Sequence, residues 1–274
     1  MINTKLITVL MSVYNNSSTL LESLNSIKNQ TYKNWELIII DDGSNDDCLK
    51  IIKKFSSTIN NKVKIIINNQ NYGIPISLNK AIPHINGDYI ARHDGDDLST
   101  KNRFQILSDF LNTNLEYGFV SSAMYYFNND KILFKSKIKN IPTKLDFIWG
   151  NPFNNAPSLI RKELFFGIGG YSESFFFKKR FEDLDFWFRS YKAGWTGYNL
   201  YDPLYYVRID YNSFKRIKYH YRIIEFILNL RMFFSFRINI CFIFITCIPL
   251  LKIFIPNFIS YQIFKLKIKK HEIN

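Results

Sequence analysis

Cysteine is scarce in this sequence. Three occur in 274 residues, Cys48, Cys241 and Cys247. Their spacing matches neither a zinc site nor a disulfide framework, so a reducing compartment is expected. Zinc-finger spacing, an aromatic RNA-binding signature and a basic recognition helix are all missing, which excludes the common nucleic-acid modules. Internal repeats are absent too. No signal-peptide core follows Met1, so secretion is not expected. The uncharged run Ile238 to Leu251 spans 14 residues, short of the roughly 20 that a membrane-spanning helix needs. Acidic residues are outnumbered, 23 against 36 Lys and Arg, for a net charge of +13. Such a balance attracts anions, here anionic lipid or phosphorylated substrates.

Phe and Tyr, by contrast, are abundant, at 26 and 17. Apolar runs recur with helical stripes between them. Strands are expected at Lys5–Ser12, Trp35–Ile40, Val63–Ile67 and Tyr89–Arg92. Helices are expected from a capping box at Thr19–Glu22, over Asp46–Phe55, from Pro75 to near Ile82, and after a Ser99 or Thr100 cap. This alternation predicts βαβ units in a mainly parallel sheet. Such sheets bind ligands beyond the carboxyl ends of their strands. Those ends are Ser12–Asn15, Asp41–Ser44, Asn68–Gly73 and Arg92–Asp97, all polar or glycine-bearing. From Phe119 the pattern loosens into a more antiparallel half, with strands at Phe119–Tyr126, Ile132–Phe134 and Ser158–Arg161. A helix over Glu182–Tyr191 opens on acids, and Asp185 is expected to pair with Arg189.

Asp94-Gly95-Asp96-Asp97 concentrates three carboxylates at a strand end. Like charges so close repel, and a divalent cation would relieve them. An ordinary solvated Asp/Gly turn is the plainer alternative.

Together these stretches resemble the family 2 glycosyltransferases. The matching residues are Val9–Asn15, Ile40–Ser44, Asn71-Tyr72-Gly73 with Asn79, Asp94–Asp97, and Phe181–Arg189. The resemblance runs over about residues 5 to 210. It implies an α/β fold of the GT-A (Rossmann-like) type, a mixed, mainly parallel sheet flanked by helices. It also implies an inverting, metal-dependent transfer of sugar from a nucleotide-sugar, expected to be a UDP-hexose. The acceptor would be a hydroxyl of a glycan or lipid-linked glycan in surface polysaccharide or lipopolysaccharide assembly. Residues 1–115 would bind the donor and 116–210 the acceptor.

By resemblance, the donor contacts are Ser12, Tyr14, Asn15, Asp41, Asp42, Asn71, Gly73, Asn79, Arg92, Asp94 and Asp96. Asp41 is favoured over Asp42 for the base, with Tyr14 packed against it. Asp94 and Asp96 would hold Mn²⁺ or Mg²⁺. Arg92 is either a phosphate partner or a structural mate of the carboxylates. His93 reads as a loop residue. Asp183 would be the general base, with Glu182 as the alternative; as plain helix-start acids, both would only serve the helix dipole. Two departures stand out. Ser12 replaces a common Pro, and Asn154–Ser158 lacks a frequent His.

Residues 211–274 form the third part, helices that mix basic residues with Ile, Leu and Phe. They are expected to meet an anionic membrane surface, giving a cytoplasmic protein held at the inner face. A helical annex packed on the catalytic domain is the alternative. Competing functions are an aspartate-based phosphohydrolase and a non-catalytic nucleotide-sugar-binding protein. Leu98 stands where the phosphohydrolase motif places Thr or Val, and the acidic motif follows the fourth strand rather than the first.

Overall fold

The computed structural model describes residues 4–59, 62–128, 131–174, 180–209 and 219–254, with Ile259 and Gln262. Residues 210–218, and nearly all of the second apolar run with its lysines, lie outside the described residues. Four parallel strands form one half of the sheet: β1 (Ile7–Val13), β2 (Trp35–Asp41), β3 (Val63–Ile67) and β4 (Tyr89–Arg92), in the order β3-β2-β1-β4. Their composition follows from burial on both faces, which removes the polar alternation of a half-exposed strand. Ile7, Val9 and Met11 pack with Leu20 and Leu24 of helix α1 (Ser17–Lys28) and Ile52 of α2 (Cys48–Ser56). On the other face Leu10, Ile38 and Ile40 pack with Leu78 of α3 (Ile74–Asn79) and with Phe186 and Trp187. Each fully buried side chain of this size contributes about 1.5–3 kcal/mol.

Register fixes where the loops emerge. Val13 pairs with Asp41, and Asp41 with Ile67, so three strands end level. β4 joins on the far side of β1, with Arg92 beside Leu10. The four loops that follow therefore leave from one edge.

The sheet continues through β8 (Leu159–Arg161), antiparallel to β4, then β6 (Phe119–Asn128), β9 (Gly197–Arg208) and β5 (Leu98–Ser99), with β7 (Lys131–Lys135) on β6. Two features depart from the sequence reading. β9, not foreseen, runs parallel to β6, so the second half is mixed rather than antiparallel. The helix caps also differ. Helix α1 begins at Ser17, and Thr19 lies inside its first turn, its hydroxyl donating to Asn16 O and Gly95 O. Helix α4 (Arg103–Thr113) is preceded by Asn102, because Ser99 belongs to β5.

Two further helices matter here, α5 (Lys162–Gly167) and α6 (Glu182–Lys192). The next, α7 (Tyr219–Ser235), buries Leu228, Met232 and Phe233. Phe236 beyond it meets Phe147 and Phe188 edge-on, with ring centroids 5.4 and 5.1 Å apart. One face of this region thus packs into the hydrophobic core. The other leaves Ile223, Ile227, Phe234, Phe244 and Phe254 exposed. Among the described residues, no helix is long and apolar enough to cross a membrane.

Candidate active site

The converging loops enclose a cleft of about 800 Å³. Ser12 and Tyr14 line it from β1, Asp42 from β2, and Asn71 and Gly73 from the loop after β3. Asp94 and Asp96 line it from the loop after β4, and Glu182 and Asp183 face them from α6. Asn15, Asp41, Asn79 and Arg92 do not line it. Asn16 does so instead of Asn15, and Asp42 instead of Asp41.

Each placement has a local cause. Asp42 is 2% exposed. Its Oδ1 accepts from Asn68 Nδ2 (2.8 Å) and Tyr72 N (2.9 Å), and its Oδ2 from Gly73 N (2.9 Å). One carboxylate thereby ties the β2 loop to the β3 loop. Gly43, at φ +76°, allows the same approach: a Cβ there would lie 2.6 Å from the carbonyl carbon of Gln70. Asp41 turns the other way and accepts from Ser44 N at 3.0 Å. Asn15 accepts from Asn45 N (2.9 Å), which holds the first two loops together. Asn79 reaches across to the second half, donating to Tyr171 O (2.7 Å) and Glu173 Oε1 (2.9 Å).

Gly95 separates the two cavity-lining aspartates for a steric reason. A Cβ at that position would sit 2.8 Å from Val13 Cγ1. The turn is pinned by Ser23 Oγ donating to Asp94 O (2.9 Å) and by Asp94 N donating to the Tyr205 hydroxyl (3.0 Å). His93 lies fully buried behind it, against Ser23 Oγ at 3.0 Å, and so is a core residue rather than an ordinary loop residue.

Arg92 pairs with two carboxylates. Its Nε donates to Asp94 (2.9 Å) and its Nη1 to Glu182 (3.2 Å), with the guanidinium nearly enclosed. Burial alone would lower its pKa, but the Asp94 and Glu182 carboxylates hold it well above the usual value. The Glu182 carboxyl is raised, by burial first and by the neighbouring Asp183 second, against the opposing pull of Arg92. Asp183 differs. It accepts from Asn151 Nδ2 (2.7 Å) and from Leu184 N (2.8 Å). Phe181, the residue before α6, sits in the left-handed region at φ 66°. That conformation is costly for a bulky residue and is concentrated at functional sites. Asp185 turns away from the cleft and pairs with Arg189 at 2.7 Å, as its spacing predicts.

Asp97 lies buried behind the two cleft aspartates. Burial, then the Asp96 and Asp94 carboxylates, holds its carboxyl well above the ordinary range. This oxygen-rich, charge-crowded donor set fits one hard divalent cation that takes one or two carboxylates and fills its shell from phosphates and water. Among the described residues, no group of three His, Cys, Asp or Glu is arranged to hold a metal without such help. Asn151, Phe181, Arg180 and Glu225 also line the cleft. Of these, only Phe181 falls in a family-matching stretch that the sequence reading quoted, Phe181–Arg189, and none of the four was given a role.

Among the described residues, a nine-stranded mixed sheet with a cleft at its loop edge gives the GT-A fold, which solved structures share. TarS of S. aureus (residues 1–349, in complex with UDP) superposes with a TM-score of 0.63 at 21% identity, over 86% of this chain and 74% of that one. Residues 8–183 match the family described as Glycosyl transferase family 2. EpsE of Bacillus subtilis (strain 168) is 34% identical over 262 residues, 96% of this chain and 94% of the relative. An Escherichia coli relative, UDP-Gal:alpha-D-GlcNAc-diphosphoundecaprenol beta-1,3-galactosyltransferase, is 29% identical over 77% of this chain and 78% of its own. The chain belongs to glycosyl transferase family 2 and is a glycosyltransferase.

Proposed function

We propose that this enzyme transfers a hexosyl group from a UDP-sugar to a hydroxyl of a lipid-linked glycan, with inversion, during surface polysaccharide or lipopolysaccharide assembly. The observation that carries the reading is the cleft itself, with Asp42, Asp94 and Asp96 on one wall and Asp183 on the other. Residues 1–115 serve the donor and 116–210 the acceptor. The acceptor class rests on the Escherichia coli relative's substrate.

Tyr14, 42% exposed at the rim, offers an aromatic face to the uracil. Asp42 sets the loop shape around the base and sugar. Asp94 and Asp96 would hold Mn²⁺ or Mg²⁺, which supplies charge stabilisation for the departing diphosphate. Arg92 keeps Asp94 and Glu182 in place rather than touching the donor. Asp183 is the base: its side-chain partner Asn151 is neutral, which leaves the carboxylate able to take the acceptor's proton. Glu182 is instead held by Arg92 at 3.2 Å, so its carboxylate is committed to an ion pair. The hydroxyl oxygen bonds to the anomeric carbon as the bond to the diphosphate breaks.

The exposed apolar residues of the C-terminal part meet an anionic membrane at its inner face, where a lipid-linked acceptor resides. Arg231 and Arg237 lie among them in sequence. Replacing Ile223, Ile227 and Phe234 by Ser should abolish sedimentation with phosphatidylglycerol vesicles; unchanged sedimentation would refute the contact. For the activity, purified enzyme is incubated with a panel of UDP- and GDP-sugars, a divalent cation and a synthetic N-acetylglucosaminyl diphospho-alkyl acceptor. UDP release that depends on acceptor and cation is expected. Release from GDP-sugars alone, or none from any donor, would overturn the assignment.

A further inference from the structure

A second cleft, of about 320 Å³, opens beside the first and shares Gly150 and Asn151 with it. Its walls include Lys137, Lys139, Trp149 and Asn154. Trp149 is 62% exposed, whereas Trp35 and Trp187 are 4% and 0% exposed. Leaving so large an apolar ring in water sacrifices burial that the fold could otherwise gain.

The turn that carries the indole is nevertheless firmly built. Residues Lys144–Trp149 open with a reciprocal cap between Thr143 and Asp146. Phe147 is driven into the aromatic core, its ring centroid 4.9 Å from Tyr191. Buried Asn199 fastens both flanks. Its Nδ2 donates to Lys139 O (2.8 Å) and Pro152 O (3.0 Å), and its carbonyl accepts from Asn140 Nδ2 (2.8 Å). An exposed ring on a pinned turn is a preformed contact surface, not a loose end. Gly150 follows at φ 144° with nothing within 4 Å of an added Cβ. Its backbone conformation, not crowding, calls for glycine. Asn151 comes next and holds Asp183 at 2.7 Å. The chain thus runs directly from the ring to the base.

We infer that the second cleft is the acceptor's sugar subsite, in which Trp149 is the platform for a neutral hexopyranose and Asn151 is a positioning residue for Asp183. The C–H face of a pyranose is apolar and complements the negative face of an indole. Lys137, Asp146, Asn151 and Asn154 around the ring supply hydrogen-bonding groups for sugar hydroxyls. Lys139 on this wall is already paired with Asp146 at 2.8 Å, so Lys137 supplies the positive charge for a diphosphate linking the sugar to its lipid. The catalytic half of the inference rests on the transferase reading. The binding half stands on the cleft alone.

The test measures binding and turnover separately. Parent, Trp149→Phe, Trp149→Ala and Lys137→Ala proteins are titrated calorimetrically with the N-acetylglucosaminyl diphospho-alkyl probe at saturating UDP, and with UDP alone. Trp149→Ala should weaken probe binding about tenfold and raise the acceptor KM equally, with UDP affinity unchanged. Trp149→Phe should recover most of the loss. Lys137→Ala should weaken the diphospho-alkyl probe but not methyl N-acetylglucosaminide. Asn151→Ala should lower kcat and shift the pH profile of kcat while leaving the acceptor KM alone. A parent that binds no probe, or a Trp149→Ala variant that binds it as the parent does, overturns the subsite. If the parent transfers no sugar yet Trp149→Ala still loses the probe, the transferase reading falls and the subsite stands.

Discussion

Arg92 offers a test of how the cleft is held together. Its guanidinium lies between Asp94 and Glu182 with a side-chain exposure of 8%. Replacing it by Leu leaves both carboxylates without their cation. Asp94, whose side chain is 33% exposed, can recover water, whereas Glu182 at 12% largely cannot. Removing one partner of a buried pair costs about 3–5 kcal/mol, and the exposure of Asp94 favours the lower end. For a chain of this size, 1 kcal/mol moves the melting temperature by roughly 2–4 °C, so a fall of roughly 10 °C near neutral pH is expected. The loss should also depend on pH. The Glu182 carboxyl is already raised above its ordinary value of 4.5 in the folded protein, and without Arg92 it rises further. A carboxyl with a raised folded pKa binds its proton more tightly when folded. Stability is therefore greatest below the unfolded pKa and is lost as pH rises through the folded one. Arg92→Leu should accordingly be closer to the parent at pH 5 than at pH 7.5. The double variant Arg92→Leu, Glu182→Leu should recover much of the loss, because no buried charge is stranded. Thermal melts followed by circular dichroism at both pH values decide it. A loss below about 1 kcal/mol, or one equal at both pH values, would refute the enclosed pair.

Three further outcomes follow from the same coordinates. Asp96→Ala should abolish cation-dependent UDP binding in calorimetry while leaving the melting temperature within a few degrees of the parent. Cys48 is buried, and burial together with the Asp46 carboxylate raises its thiol to about 11; native protein at pH 8 should therefore react with a thiol reagent at Cys241 and Cys247 only, with Cys48 joining on unfolding. Burial pushes the Asp46 carboxyl up, but hydrogen bonds from Cys48 and Ser17 outweigh it and hold it at about 2 against 3.8. Its contribution is complete above the unfolded value and is lost as pH falls towards 2, so Asp46→Asn should flatten the acid limb of the stability curve.

The first half of the fold was legible because strands buried on both faces read as unbroken apolar runs, and β1 to β4 all stand where those runs lie. The loops were legible because parallel strands must end on one edge. β9 was not. Its run is broken by Asp202-Pro203, and its register against β6 slips between Ser122 and Met124, so neither alternation nor continuity survives in the sequence. β5 has two residues and no pattern to read. Which of Asp41 and Asp42 faces the cleft was also hidden. Adjacent residues at a strand end point opposite ways, and only the bonds from Asn68, Tyr72 and Gly73 select Asp42. Asn151 escaped notice because its partner Asp183 lies 32 residues on. The left-handed turn at Phe181 carries no sequence signal, since bulky residues seldom adopt it.

The proposed mechanism has Asp183, across the cleft from Asp94 and Asp96, take the acceptor's proton. Asp183→Asn keeps the size of the side chain and its contact with Asn151 but removes its basicity. The decisive measurement is the rate of sugar transfer by Asp183→Asn beside Glu182→Gln, with UDP affinity determined on the same preparations. The account predicts a fall of about 10²–10⁴-fold in kcat for Asp183→Asn with UDP binding intact. Transfer by Asp183→Asn at near the parent rate, with Glu182→Gln inactive but still folded and binding UDP, would contradict it and move the base to Glu182.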